Sequence, residues 1–128
     1  MTEPLTETER LTFGALLRTL FRLDGAITPE EQAVVHGVVG ELLPRPPGAD
    51  VADVLAALLE RSAERYRDDE AVRAAAEAVT RPEAREAIYG ALYEVSTAGT
   101  ITLGESSVLD WLARTWEIRV RDAEAPAG

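Results

Sequence analysis

The sequence of 128 residues predicts an all-α fold, a compact single-domain helical bundle of about six helices. Alanine and leucine dominate the hydrophobic residues, which make up 46% of the chain, whereas aromatic residues make up only 5%. This balance favours helix over strand. Apolar residues recur with the 3.6-residue period of a helix, and no stretch alternates as a strand would. A Gly-x-Ile-Thr-x-x-Glu pattern occurs twice, within residues 24–31 and 98–105, and each copy lies between two apolar helical segments. The bundle is therefore expected to contain two related helix-turn-helix units.

The first helix-turn-helix unit begins with a capping signal. Thr6 and Glu9 have the spacing of a capping box, in which each side chain accepts a hydrogen bond from the other residue's backbone N–H. The first helix then carries a broad apolar stripe, formed by Phe13, Leu16, Leu17, Leu20, Phe21 and Leu23. Thr28 is the expected N-cap of the second helix, which stops at the proline-rich segment 44–48.

Residues that suit helix N-termini begin the other four predicted helices. They are Asp50, Asp68 or Asp69, Pro82 and Thr102. Helical periodicity ends near Ile118. The sequence therefore predicts a helical domain over residues 1–118 and a flexible C-terminal tail over residues 119–128.

Glycine and tryptophan positions indicate how the helices pack. Gly37 and Gly90 lie inside predicted helices, where a glycine costs about 0.5–1 kcal/mol relative to alanine. We expect these two glycines to mark a close crossing of two helix backbones. Trp116 shares a helical face with other apolar residues and is assigned to the core. Trp111 lies on a different face and is a candidate anchor for a partner.

Composition excludes several classes of function. The net charge of −10 would repel a phosphate backbone at long range, so we expect no nucleic-acid partner. The chain has no cysteine, and its single histidine, His36, lacks an evident catalytic companion, so we expect no enzymatic activity and no cofactor. No apolar run approaches the roughly 20 residues of a membrane span, and the N-terminus lacks the features of a signal peptide. We expect a cytoplasmic protein without direct membrane insertion.

The acidic residues of the repeated pattern are the candidates for a metal site. With Gly25 at position 6 of a 12-residue calcium loop, Asp24 takes position 5 and Glu31 takes the closing position 12. Leu20 and Arg22 then take positions 1 and 3, where an EF-hand needs oxygen ligands. The pattern is therefore not an ordinary EF-hand.

Helix capping is the other interpretation of the same acids. Glu31 and Glu105 each follow a threonine by three residues, which is the spacing of a capping box, and an Asp before a Gly suits a turn. Capping needs no missing ligand, so we favour it. A divalent-metal site would instead use Asp24, Glu31 and Glu105.

Three segments carry a resemblance to a known family. Residues 23–31 read Leu-Asp-Gly-Ala-Ile-Thr-Pro-Glu-Glu, residues 97–105 read Thr-Ala-Gly-Thr-Ile-Thr-Leu-Gly-Glu, and residues 109–118 read Leu-Asp-Trp-Leu-Ala-Arg-Thr-Trp-Glu-Ile. They resemble the tellurite-resistance TerB-like family and the related N-terminal domain of DjlA-type co-chaperones. The resemblance implies a compact helical bundle, acidic residues that chelate a divalent metal, and a link to tellurite and other chemical stress. By position the implied ligands are the same three acids, and the second copy departs from the family with Ala98 in place of an Asp.

The sequence thus predicts a non-enzymatic, TerB-like module of the stress response. It would act through an acidic surface and through contacts with a protein partner that the sequence does not identify. The alternative is a divalent-metal-binding sensor that uses the acidic residues of the Asp-Gly turn.

Overall fold

The computed structural model describes residues 5–24, 29–43, 48, 50–98 and 103–118. These residues form six α-helices and no strand. The helices are α1 (Glu7–Asp24), α2 (Pro29–Leu42), α3 (Val51–Arg65), α4 (Asp69–Ala78), α5 (Pro82–Thr97) and α6 (Leu103–Thr115). The prediction of an all-α bundle is confirmed. The predicted tail, both glycine turns and the predicted caps Thr28 and Thr102 lie outside the described residues.

Helix α1 is the centre of the bundle. It contacts α3, α4, α5 and α6, while α2 packs on α3 and α5, and α5 packs on α6. Every residue from 11 to 17 is buried, so this part of the helix is enclosed on all sides rather than along one stripe. The predicted apolar positions Phe13, Leu16, Leu17 and Leu20 are each no more than 2% exposed.

The helix N-termini follow the predicted capping residues where the structure describes them. The Thr6 N–H donates to Glu9 Oε1 at 2.8 Å, and the Glu9 N–H donates to Thr6 Oγ1 at 3.2 Å, which is a complete capping box. Asp68, rather than Asp69, caps α4, because its Oδ1 accepts from the Ala71 N–H at 2.8 Å. Asp50 occupies the N-cap position of α3, but its side chain makes no capping hydrogen bond.

The glycine that lies at a tight helix contact is not one of the two expected. A Cβ placed at Gly37 or at Gly90 would meet nothing among the described residues within 4 Å, and both glycines lie on exposed faces of their helices. A Cβ at Gly14 of α1 would lie 2.8 Å from Leu58 Cγ and 3.2 Å from Ser62 Cβ of α3. The expectation for Gly37 and Gly90 is therefore wrong, since the glycine without space for a Cβ lies where α1 contacts α3.

The end of α6 is fixed to α4 by a buried hydrogen bond. Trp116 is 3% exposed, which confirms its assignment to the core, and its Nε1–H donates to the Ala76 carbonyl at 2.8 Å. The chain then reverses at Glu117, which has a φ of 54°, and the Ile118 N–H donates to the Ala113 carbonyl at 2.8 Å. This is a Schellman closure, in which the left-handed position is usually a glycine.

The left-handed residue at the end of α6 gives a first testable prediction. We expect Glu117→Gly to raise the free energy of unfolding by about 0.5–1 kcal/mol, because glycine adopts a positive φ without the steric penalty of a Cβ. Urea denaturation would measure the change. Glu117→Ala is the matched control, since it removes the charge but keeps the Cβ and should leave stability within about 0.5 kcal/mol of the wild type. Loss of stability in Glu117→Gly would contradict the prediction.

Candidate functional site

The three acids predicted from the sequence lie at helix ends. Asp24 is the last residue of α1 and Glu105 belongs to the first turn of α6, but the side chains of both lie outside the described residues. Glu31 lies in the first turn of α2, is 5% exposed and is already engaged in an interaction within the protein. In the part of the chain that the structure describes, no group of three or more His, Cys, Asp or Glu side chains could hold a metal ion. The metal site and the capping interpretation of these acids both stay predictions.

The burial of Glu31 sets an expectation for metal binding. We expect no heat of binding and no change in melting temperature with millimolar calcium, magnesium, manganese or zinc. The reason is that a buried, engaged carboxylate must lose its present contacts before it can become one of the 6–8 oxygen ligands of a calcium ion. Titration calorimetry and thermal denaturation test this. Tight binding that Asp24→Asn abolishes would contradict it and would favour the sensor.

A groove lies between α1, α4 and α6 in the described part of the chain and has a volume of about 560 Å³. We call it the α1–α4–α6 groove. Its apolar lining consists of Leu16 of α1, Val72 of α4, and Val108 and Trp111 of α6. Leu16 and Val72 are buried, whereas Val108 and Trp111 are only half-buried, so part of the apolar surface is open to solvent. Its volume falls within the usual range of ligand-binding sites.

Helical spacing explains why these side chains share the groove. Gly104, Ser107, Val108 and Trp111 stand at positions i, i+3, i+4 and i+7 of α6, which lie along one face of a helix. On α4, the three lining residues are Asp69, Val72 and Arg73, again at spacings of three and four. These faces of α4 and α6 lie side by side on α1 and form the walls of the groove.

Two arginines give the groove its charge. Arg22 Nη2 lies 2.8 Å from Asp69 Oδ1, and both side chains are mostly exposed, so this ion pair adds little stability but neutralises one cation. The guanidinium carbon of Arg73 lies 5.9 Å from the centroid of the Trp111 ring, a cation–π contact. Arg73 forms no ion pair with any carboxylate of the described residues. Its charge therefore remains available to a ligand.

The side chains that line the groove suit the binding of a ligand. Its lining offers apolar contact, an aromatic ring and guanidinium groups. The hydroxyl of Thr19 already donates to the Ala15 carbonyl of its own helix at 3.0 Å. His36 lies on α2, which contributes no lining residue. The arrangement favours recognition of an apolar group that carries a negative charge.

A second, smaller cleft lies between α1 and α3 and has a volume of about 240 Å³. Leu11, Leu43 and Leu58 are among its apolar lining residues. Arg61 and Glu7, which form an ion pair at 3.0 Å, also line it. This volume is below the usual range for a ligand site. The α1–α4–α6 groove is therefore the stronger candidate.

Sequence reasoning identified only part of this site. The sequence pattern indicates Trp111 as a candidate anchor, but it does not single out Arg73. The signal that could have found the groove was the row of small and apolar residues at helical spacing on α6, from Gly104 to Trp111. The pairing of that row with α4 depends on contacts between distant parts of the chain.

A search against protein-family models, curated proteins and solved structures finds no match to this chain. The fold and the groove therefore define only a structural class, that of all-α bundles with an open, partly cationic groove. None of the helices in the described part of the chain has the length and apolarity that crossing a membrane requires.

Proposed function

We propose that this chain is a non-enzymatic, TerB-like helical module that acts by binding another protein through the α1–α4–α6 groove. The observation that carries the proposal is the half-buried Trp111 in an open apolar groove, with Arg73 held above its ring. Tryptophan and arginine are the residues most enriched among the dominant contacts of protein interfaces.

The shape of the groove favours a polypeptide over a small molecule. Small ligands are usually bound in clefts that bury at least 70–90% of their surface. Here Arg22, Asp69, Arg73 and Ser107 are exposed, so the walls leave one side of an occupant in contact with solvent. A side chain that projects from a larger partner needs no such enclosure, because the rest of the partner covers it.

The cellular role that we propose comes from the resemblance in the sequence. The two Gly-x-Ile-Thr-x-x-Glu segments and the segment 109–118 resemble TerB-like proteins, which supports a role in the response to tellurite or other chemical stress. The segment that resembles the closing helix of that family includes Trp111, so the proposed binding surface and the resemblance share a residue.

Site-specific photo-crosslinking tests the proposal. We expect benzoylphenylalanine at Arg22, an exposed lining position that already carries a long side chain, to form a covalent adduct with a discrete protein in cells of the native host. The matched control is the same substitution at Ala74, an exposed position of α4 that does not line the groove, and it should give no such adduct. Absence of an adduct from position 22, or the same adduct from both positions, would contradict binding through the groove.

A further inference from the structure

We infer that the occupant of the α1–α4–α6 groove is an amphipathic helical segment of a partner protein, with one carboxylate that pairs with Arg73 beside its apolar anchors. This inference rests on the proposed function, and it adds the chemistry of the segment that is recognised. Three observations support it: the length of the groove, the charge of the groove, and the net charge of the whole chain.

The length of the groove fits two turns of a helix. The lining residues of α6 run from Gly104 to Trp111, which is roughly 10 Å along the helix axis at 1.5 Å per residue. Helices that bind in grooves place apolar side chains at i, i+3 or i+4, and i+7, which is the same span. Gly104 has no side chain, so it leaves space for one anchor at its end of the groove, and Trp111 offers a flat apolar surface to the other.

The charge of the groove differs from that of the chain. In the described part of the chain its charged lining residues are Arg22, Asp69 and Arg73, whose charges sum to +1 within a chain of −10. Arg22 is already paired with Asp69. Arg73 is held above Trp111, next to the position of an apolar anchor, so a carboxylate on the adjacent turn of the bound helix would reach it. Guanidinium and carboxylate groups pair in a bidentate geometry, which makes this contact directional.

The overall charge limits what the partner can be. A second copy of this chain would also carry a charge of −10, and two such copies repel each other. A strongly acidic segment would be repelled for the same reason. The segment that fits has a single carboxylate at the groove and neutral or basic residues on its outer face.

A peptide-display selection tests both the groove and the carboxylate. The probe is a library of helical peptides of about 14 residues, or four turns, with randomised positions on one face. The library is selected against the wild-type protein and counter-selected against Ser107→Tyr, which fills the groove from an exposed position. We expect the enriched peptides to share two apolar positions and an Asp or Glu one turn away.

The contribution of Arg73 is measured on one enriched peptide. Changing its acid to the amide should weaken binding to the wild type about fivefold at low salt, and should change binding to Arg73→Gln less than twofold. The matched control is Arg67→Gln, because Arg67 is an exposed arginine that does not line the groove. In this variant the change from acid to amide should weaken peptide binding as much as it does in the wild type. The difference in affinity between the acid and amide peptides should become smaller in high salt, because salt screens the attraction between the peptide carboxylate and Arg73.

The possible failures are distinguishable. Enriched peptides that lose binding in Ser107→Tyr but share no acidic position would overturn the inference and leave the proposed groove function standing. If the change from acid to amide weakens peptide binding to Arg73→Gln as much as it weakens binding to the wild type, the pairing with Arg73 is overturned. Octanoate, a small apolar carboxylate, is titrated against the same proteins. Its binding to the wild type without enrichment of any peptide would assign the groove to a small carboxylate and overturn both proposals. If the wild type binds peptide and octanoate no more tightly than Ser107→Tyr does, both the proposed function and this inference are overturned.

Discussion

Replacing Gly14 with alanine is expected to lower the free energy of unfolding by about 1–2 kcal/mol. The new Cβ would lie 2.8 Å from Leu58 Cγ and 3.2 Å from Ser62 Cβ, so α1 and α3 must separate or their side chains must shift. Leu58 is 5% exposed and Ser62 is fully buried, with its hydroxyl bonded to the Leu59 carbonyl at 3.0 Å. These neighbours have little space to move, so overpacking outweighs the gain of up to about 1 kcal/mol in helix propensity.

The matched control for this prediction is the same substitution at Gly37. A Cβ there meets nothing within 4 Å among the described residues, and the position is exposed. We expect Gly37→Ala to raise the free energy of unfolding by about 0.5–1 kcal/mol, because alanine loses less backbone entropy in a helix. Urea denaturation of both variants gives the comparison. Stabilisation by Gly14→Ala as well would show that α1 and α3 are not packed as closely as the structure places them.

Local chemistry allowed most of the helices to be predicted from the sequence. The Thr6–Glu9 box, Asp68 and the proline at the first position of α5 each act within one turn of the residue concerned, and each is found where it was expected. Trp116 was assignable to the core because its apolar neighbours recur at helical spacing. Such signals depend on residues three or four positions apart, so a single sequence contains them.

The features that were missed depend on residues far apart in the chain. Nothing near Gly14 in the sequence distinguishes it from Gly37, and only the position of α3 makes the difference. The groove needs α4 and α6 side by side on α1, and its cation–π contact joins residues 73 and 111. The proposed metal ligands lie at or beside the turns, and two of their three side chains lie outside the described residues, so the metal hypothesis stays a prediction.

Contacts between α4 and α6 join two walls of the groove. The hydrogen bond from Trp116 to the Ala76 carbonyl joins the end of α6 to α4, and the contact between Arg73 and Trp111 joins the same two helices nearer their N-termini. Leu112, between the two tryptophans, is fully buried. A binding surface that is already ordered loses less entropy when a partner docks. This rigidity supports binding of a short segment through few contacts.

Replacing Glu9 with glutamine is expected to lower the free energy of unfolding by about 2–4 kcal/mol at neutral pH. The Glu9 carboxylate receives two hydrogen bonds from Arg81, from Nε to Oε2 at 2.9 Å and from Nη2 to Oε1 at 2.6 Å. Its Oε1 also accepts from the Thr6 N–H. The Glu9 side chain is 8% exposed and that of Arg81 is 27% exposed, so the pair is largely shielded from water. A glutamine removes the negative charge and presents an amide N–H₂ toward one of the guanidinium donors.

The same ion pair makes stability depend on pH. The hydrogen bonds from Arg81 hold the pKa of Glu9 below its usual range, although burial acts in the opposite direction. The unfolded chain therefore binds a proton at Glu9 at a higher pH than the folded protein does. The contribution of Glu9 is complete above the unfolded-state pKa of about 4.3, and it is lost as the pH falls through the folded-state pKa. The difference in stability between wild type and Glu9→Gln should accordingly be constant near neutral pH and narrow in acid.

Glu7→Gln is the matched control, because Glu7 lies in the same first turn of α1 and also pairs with an arginine. Its pair with Arg61, at 3.0 Å, has side chains that are 65% and 59% exposed, so the substitution should cost less than about 0.5 kcal/mol. Denaturation of the three proteins between neutral pH and acid measures both effects. Equal losses in the two variants, or a loss in Glu9→Gln that does not change with pH, would show that the capping turn does not depend on Arg81. A large, pH-dependent loss at Glu9 alone would show that this ion pair, which joins residues 72 positions apart, fixes the start of the central helix to the segment between α4 and α5.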